Sequence, residues 1–204
     1  MKIYSSNVSP NARRVRLVAL ELGLTPDIVE IDVFKGEHRA PDYLTVNPHG
    51  RIPAFQDSGL ELSESRAVSI HLTSTVAQQT LWPSDPAEQA QVLHWMFWDA
   101  AHFAQRAQRL QVLRMFTKDP SPKDVEEATS QFEAEASVMD ARLGDRSFLV
   151  GSELTLADIS IGATLTYAGP AEFPLAKFPA LVRWFDALRK RDSWKATEPV
   201  LPGS

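Results

Sequence analysis

Asn47-Pro48-His49-Gly50-Arg51-Ile52-Pro53-Ala54-Phe55 sets a proline at the start of a strand, in a sheet that should want its amide donors. Two readings follow. A cis Ile52–Pro53 bond turns the Ile52 backbone outward and leaves its N–H and C=O free to pair with an extended peptide as a short added strand. An ordinary proline at a strand start needs nothing of the kind. The stretch therefore asks what surrounds it.

Upstream, Lys2 to Ser5 is short and β-prone, and Pro10 to Leu22 lines Val15, Val18, Ala19 and Leu22 along one helical face before Gly23 stops it. Asp27 to Val33 alternates, with Val29 and Ile31 facing one way, and a polar loop holding Lys35-Gly36-Glu37-His38 follows. Downstream, Pro53-Ala54-Phe55 and Leu60-Glu61-Leu62 flank Asp57-Ser58-Gly59 as a hairpin, and Ser65 to Val76 is helical through Ala67, Val68, His71 and Leu72. The quoted stretch thus joins a β-α-β unit to a β-β-α unit.

Residues 79–86, with Pro83 and Pro86 among small polar side chains, interrupt every period and read as a linker. Helices are expected beyond it. Ala87 to Phe116 reads as one long apolar-periodic helix, Lys123 to Leu143 as a more polar partner, and Ala180 to Arg191 as the last helix. Thr155-Leu156-Ala157-Asp158 is a capping box, with Leu154 and Ile159 placed as its hydrophobic staple.

The chain has 204 residues, 44% of them hydrophobic, and a net charge of −5 with acids and bases interspersed, so no basic stripe suits nucleic acid. No window approaches a membrane span, and Met1 to Tyr4 runs into a strand-like stretch rather than a signal peptide, so neither membrane nor export is expected and a cytoplasmic protein is. The absence of cysteine excludes disulfides and any mechanism in which the enzyme supplies its own thiol. Sulfur chemistry here must use a substrate's sulfur. The five histidines lack the spacing of a zinc helix, and no metal is expected.

Two further stretches carry polar groups where ligands bind. Glu61-Leu62-Ser63-Glu64-Ser65-Arg66-Ala67 sets an acid and a hydroxyl where strand becomes helix. There Ser65 and the first free amides can take a carboxylate and Glu64 an ammonium, as at an α-amino acid end. An ordinary cap is the plainer reading. Tyr4 to Arg16 (YSSNVSPNARRVR) contains Ser5, Ser6 and Ser9, and Ser9-Pro10 is a helix start in its own right.

Taken in order, Ser9-Pro10-Asn11-Ala12-Arg13-Arg14-Val15, Gly36-Glu37-His38, Asn47-Pro48-x-Gly50-x-Ile52-Pro53-Ala54-Phe55, Glu64-Ser65-Arg66-Ala67 and the Thr155–Asp158 box resemble the cytosolic glutathione S-transferases, over essentially the whole chain. The nearest look is to the serine-type enzymes, bacterial or of the plant phi and theta kind. The resemblance implies an α/β thioredoxin-like N-terminal domain over 1–78, a linker over 79–86 and an all-α C-terminal domain over 87–204 that lines the electrophile site. It implies a homodimer that uses glutathione as co-substrate, with no other cofactor, and conjugates it to small hydrophobic electrophiles.

Position by position, the resemblance makes Ser9 the catalytic hydroxyl that donates to the glutathione sulfur, with Ser5 and Ser6 as the fallback. It gives Ile52 the backbone pairing to the cysteinyl part, Glu64 and Ser65 the γ-glutamyl ammonium and carboxylate, and His38 and Arg51 the glycine carboxylate, with Arg39 as a second cation. Arg51 stands where the plant enzymes usually have Gln. Asp99 matches an acid that in some classes reaches the partner subunit's glutathione. Trp95, Trp98, Phe103, Arg106, Leu110 and Phe116 are the candidate electrophile lining, although an aromatic stripe is more often plain core, and Arg13 and Arg14 are read as structural or interfacial rather than catalytic. Glutathione-dependent peroxide reduction or dehalogenation needs the same thiolate and is the first alternative. A non-catalytic binding or scaffolding module on the same fold is the second.

Overall fold

The computed structural model describes residues 1–199, which fall into two compact units: Met1–Gln79 together with the described residues from Asp192, and Thr80–Arg191. The first unit is built on a four-stranded sheet of order β2-β1-β3-β4, from β1 (Lys2–Ser5), β2 (Asp27–Glu30), β3 (Ala54–Asp57) and β4 (Leu60–Ser63). β1 and β2 run parallel, the other pairs antiparallel, and α1 (Pro10–Glu21), α2 (Pro41–Val46) and α3 (Ser65–Ser74) are the helices between and after them. This is the thioredoxin-like α/β arrangement. Ile3 and Phe55 from the sheet, Val15 and Val18 from α1, and Val68 and Leu72 from α3 are fully buried, each worth about 1.5 to 3 kcal/mol of transfer free energy.

The hairpin turns through Ser58 and Gly59, both at positive φ, which is the twist a two-residue hairpin loop requires. β2 stops at Glu30, three residues short of the expected Val33, because its partner strand ends: Ser5, the last residue of β1, pairs with Glu30, and the Ile31 amide closes the ladder on the Ser5 carbonyl at 2.7 Å. Asp32 then turns the chain by accepting the Phe34 and Lys35 amides. α2 leaves no mark in the sequence pattern, since six residues are too few to show a helical period.

The second unit contains α4 (Pro86–Trp98), α5 (Ala104–Met115), α6 (Pro122–Leu143), α7 (Leu156–Thr164) and α8 (Pro179–Arg189). The single helix expected over 87–116 is interrupted by one wide turn, a π segment at Asp99–Phe103, so α4 and α5 are separate elements of one continuous run. Every residue of α7 is buried, and its capping box forms: an Asp158 oxygen accepts the Thr155 amide at 3.0 Å, while the other accepts Leu149 N at 2.9 Å and Trp184 Nε1 at 3.0 Å. Burial pushes the Asp158 carboxyl up from its ordinary value, and these donors pull against it. Leu154 and Ile159 are both buried, as a staple requires.

Within 79–86, Leu81 is buried and its carbonyl accepts the Leu156 amide, while Asp85 caps α4 through Ala87 N and Glu88 N. The last helix ends at Arg189, not Arg191, and a further short helix, α9 (Asp192–Ala196), belongs to the first unit. Among the described residues no helix is long and apolar enough to cross a membrane.

Candidate functional site

α1 starts at the serine loop. The Ser9 hydroxyl oxygen accepts the Ala12 amide at 3.2 Å, Pro10 takes the first helical position, and the Ser9 amide itself donates to the Ser6 carbonyl at 3.0 Å. The loop before it is held by Asn7, whose amide donates to Glu30 Oε1 at 2.6 Å and whose side chain accepts from Arg16. Ser5 and Ser6 are sealed inside the fold, at 0% and 4% exposure, whereas Ser9 is half-buried. Capping uses an oxygen lone pair of Ser9 and leaves its proton available to donate.

The Ile52–Pro53 bond is cis, and the loop ahead of it is tied down at one atom. The Arg51 carbonyl accepts the Tyr43 hydroxyl at 2.6 Å and the Asn47 side-chain amide at 2.7 Å. Asn47 Oδ1 in turn accepts the His49 amide, and the Asn47 carbonyl accepts Gly50 N. Gly50 has φ +57, and a Cβ there would stand 3.0 Å from the His38 carbonyl, so this loop and the Glu37–Arg39 turn are packed backbone against backbone.

Glu64, at φ 67, delivers β4 into α3. Ser65 behind it is buried, and its Oγ accepts Arg14 Nη1 at 2.7 Å; the same guanidinium nitrogen donates to Asn11 Oδ1 at 2.6 Å. Arg14 is only 1% exposed. A buried cation and the free amides of a ten-residue helix thus share one spot, which favours an anion. The exposed Glu64 carboxylate supplies the opposite charge beside it.

These pieces line an open cleft whose wall includes Asn11, Asn47, Arg51, Ile52, Glu64 and Ser65. Four of the six expected site residues, Arg51, Ile52, Glu64 and Ser65, meet there. Ser9 and His38 lie outside that wall. Ser9 stands two residues before Asn11, and His38 is half-buried in the turn behind Gly50, with its Nδ1 buried and unpartnered among the described residues. Asn11 and Asn47 also line the cleft, and Arg14 and Tyr43 bond to residues of its wall; the sequence assigns none of the four a binding role. The Asn-Pro-x-Gly spacing is the one signal that could have marked Asn47, as a side chain that closes its own loop.

The other expectations resolve differently. Asp99 is fully buried and accepts the Ser160 and Thr164 hydroxyls at 2.9 Å each, so it is an interior acid of the second unit and does not reach outward. Phe103 and Leu110 are 0% exposed and Trp95 is 7% exposed; Trp98 stacks on Phe103, which leans on Phe132. Half of the candidate electrophile wall is helical core, Trp98 and Arg106 are half-buried, and Phe116, at 60% exposure, is its open member. Arg13 is structural as read, bonding Trp194 O at 3.0 Å and Glu198 Oε2 at 2.8 Å. Among the described residues no cluster of three His, Asp or Glu side chains could hold a metal ion.

Known proteins resemble this chain over nearly its whole length. Residues 1–74 match the family model described as glutathione S-transferase, N-terminal domain, and residues 103–192 the one described as glutathione S-transferase, C-terminal domain. Glutathione S-transferase 3 of Zea mays is 31% identical over 99% of this chain and 95% of its own. A poplar glutathione transferase F1, solved also as a serine-to-cysteine mutant, superposes with a TM-score of 0.87 at 25% identity, over 96% of this chain and 95% of its own. Ure2p in complex with glutathione gives 0.89 at 26% identity, over 98% of this chain and 94% of its own.

Proposed function

The chain belongs to the glutathione S-transferase family, and we propose that it binds glutathione in the cleft at the head of α3 and transfers it to small hydrophobic electrophiles through a thiolate held by Ser9. The observation that carries the reading is the meeting of Arg51, Ile52, Glu64 and Ser65 in one wall. Each end of the tripeptide then finds its complement. The γ-glutamyl carboxylate takes the Ser65 hydroxyl and the first amides of α3, its ammonium takes Glu64, the cysteinyl part pairs with the Ile52 backbone, and the glycine carboxylate meets Arg51 and His38.

A thiol of ordinary pKa near 8.5 must fall about two units for its thiolate to dominate at neutral pH, about 2.7 kcal/mol. One hydrogen bond to a charged group is worth about 1.5 to 3 kcal/mol and a helix N-terminus about 0.3 to 1. Ser9 offers both, because its hydroxyl proton is unspent by capping and it stands at the first turn of α1. The thiol proton leaves to solvent, the thiolate attacks the electrophilic carbon, and the carbon–leaving-group bond breaks as the carbon–sulfur bond forms. The exposure of Ser9, against the sealed Ser5 and Ser6, favours it as the donor.

The test is turnover of an activated aryl halide by wild type and Ser9→Ala across pH. Loss of the hydroxyl should lower kcat/KM at neutral pH by about tenfold to a hundredfold, the cost of one charged hydrogen bond, and move the apparent thiol pKa back toward its free value. Equal rates would remove Ser9 from the mechanism. Peroxide reduction and dehalogenation use the same thiolate, and a substrate panel ranks them. A glutathione-binding module without turnover is the second reading, which measurable conjugation would dismiss. The homodimer and the cytoplasmic setting are parts of the same proposal; sedimentation checks the first, localisation of the tagged chain the second.

A further inference from the structure

The Arg51 carbonyl uses both of its lone pairs. It takes the Tyr43 hydroxyl at 2.6 Å and the Asn47 amide at 2.7 Å, and neither donor is loose. Tyr43 sits in α2, 5% exposed, with its ring edge-on to Tyr4 of β1 at 5.8 Å. Asn47, 2% exposed, ends α2 and is held in turn by the His49 and Gly50 amides. The Arg51–Ile52 peptide is trans, so its N–H points opposite to its C=O. A carbonyl fixed by two donors therefore fixes the direction of the Ile52 N–H. That amide finds no acceptor among the described residues, and Ile52 lines the cleft.

We propose that Tyr43 and Asn47 are positioning residues that clamp the Arg51 carbonyl and so aim the Ile52 N–H at the cysteinyl carbonyl of glutathione. The inference rests on the pairing of Ile52 with glutathione given above and adds the device that makes the pairing ready before the ligand arrives. Arg51 itself is exposed and makes no side-chain bond among the described residues, so its side chain does not hold this peptide in place. Rotated about its flanking bonds, the peptide would turn a carbonyl toward the ligand's carbonyl, and two acceptors would face each other. Ordering the peptide in advance removes that competing state and the entropy of losing it on binding. Tyr43 is not part of the cleft wall, and Asn47, which is, acts through its bond to the Arg51 carbonyl.

Two ligands separate aiming from mere support of the loop: glutathione, and its analogue in which the cysteinyl carbonyl is reduced to a methylene. Calorimetry and kcat/KM with an activated aryl halide are measured for wild type, Tyr43→Phe, which keeps the ring, and Asn47→Asp, which keeps the oxygen that caps His49. In wild type the analogue should bind about tenfold more weakly than glutathione, having lost one hydrogen bond. In either variant the glutathione Kd should rise about fivefold to tenfold while the analogue's moves less than about twofold, with kcat at saturating glutathione nearly unchanged. Equal losses for both ligands, or no loss for glutathione, would overturn the clamp and leave glutathione binding standing. Wild type that binds no glutathione at millimolar concentration would overturn the functional reading and the clamp together.

Discussion

Ser65 is nearly covered by protein, yet its one polar atom faces the cleft wall and accepts from Arg14 rather than donating to it. Its proton is thereby left for a ligand carboxylate. Ser65→Ala should raise the glutathione Kd by about tenfold to a hundredfold, the value of a hydrogen bond to a charge, with calorimetry as the check. Urea unfolding of the same variant should show a loss of about 1 to 3 kcal/mol, because a buried Arg14 donor loses its acceptor. Tyr43 carries a pH prediction. Burial first, and the nearby Tyr4 in addition, push its hydroxyl up from 10.0 to about 12. The folded state therefore holds this proton more tightly than the unfolded chain, and the associated stability is present below pH 10 and lost as pH rises toward 12. The difference in tyrosinate absorbance between wild type and Tyr43→Phe should appear as a step above pH 11; a difference step near pH 10 would contradict it. At this scale the sequence marked Ser65 because strand gave way to helix there, and Ile52 because a proline followed it. It could not distinguish Arg13 from Arg14, adjacent and identical in type, since only the fold sends one to Trp194 and the other to Ser65, 51 residues away.

Elements were legible where a period had room to repeat and a residue marked the end. α1 has its serine cap, its proline and its stop at Gly23, and the hairpin its Ser58-Gly59 turn. α2, at six residues, and the π turn at Asp99–Phe103 left no such trace. A wide turn shifts the face of a helix without breaking its apolar pattern, so the sequence leaves open which aromatic residues around it are wall and which are core. Asp99 misled for the same reason: its buried partners Ser160 and Thr164 lie on α7, about 60 residues on, and nothing local shows them. The Asn47–Pro53 loop is an element in its own right, and Gly50 is its keystone. Its φ of +57 is one that side chains rarely adopt, and a Cβ would press on the His38 carbonyl at 3.0 Å, which is backbone and has little freedom to yield. Gly50→Ala should cost about 1 to 3 kcal/mol in urea unfolding and raise the KM for glutathione more than it lowers kcat, since the loop bearing Ile52 and the turn bearing His38 must part. An unchanged KM would mean the loop absorbs the methyl group elsewhere.

At the scale of the whole molecule the chain leaves the first unit at Gln79 and returns to it at Asp192. No pattern between Asp192 and Thr197 announces this. The return is written in α1, where Arg13, 4% exposed, donates to Trp194 O, Thr197 Oγ1 and Glu198 Oε2. The ion pair itself counts for little, because the Glu198 side chain is 56% exposed and water screens it. The burial of Trp194, at 1% exposure, must contribute more. Its indole nitrogen is buried with no acceptor among the described residues, and that separates two substitutions that remove bulk at the same site. Trp194→Ala empties the whole volume and should cost about 3 to 5 kcal/mol. Trp194→Phe also loses volume, but it deletes an N–H whose unpaired burial costs about 1 to 3 kcal/mol, so the two effects oppose and the net loss should stay near 1 kcal/mol or below. Urea unfolding of the two variants beside wild type reads the difference directly. If Phe proves as damaging as Ala, the indole N–H is satisfied in solution, and the return of the chain is held by a hydrogen bond rather than by apolar packing.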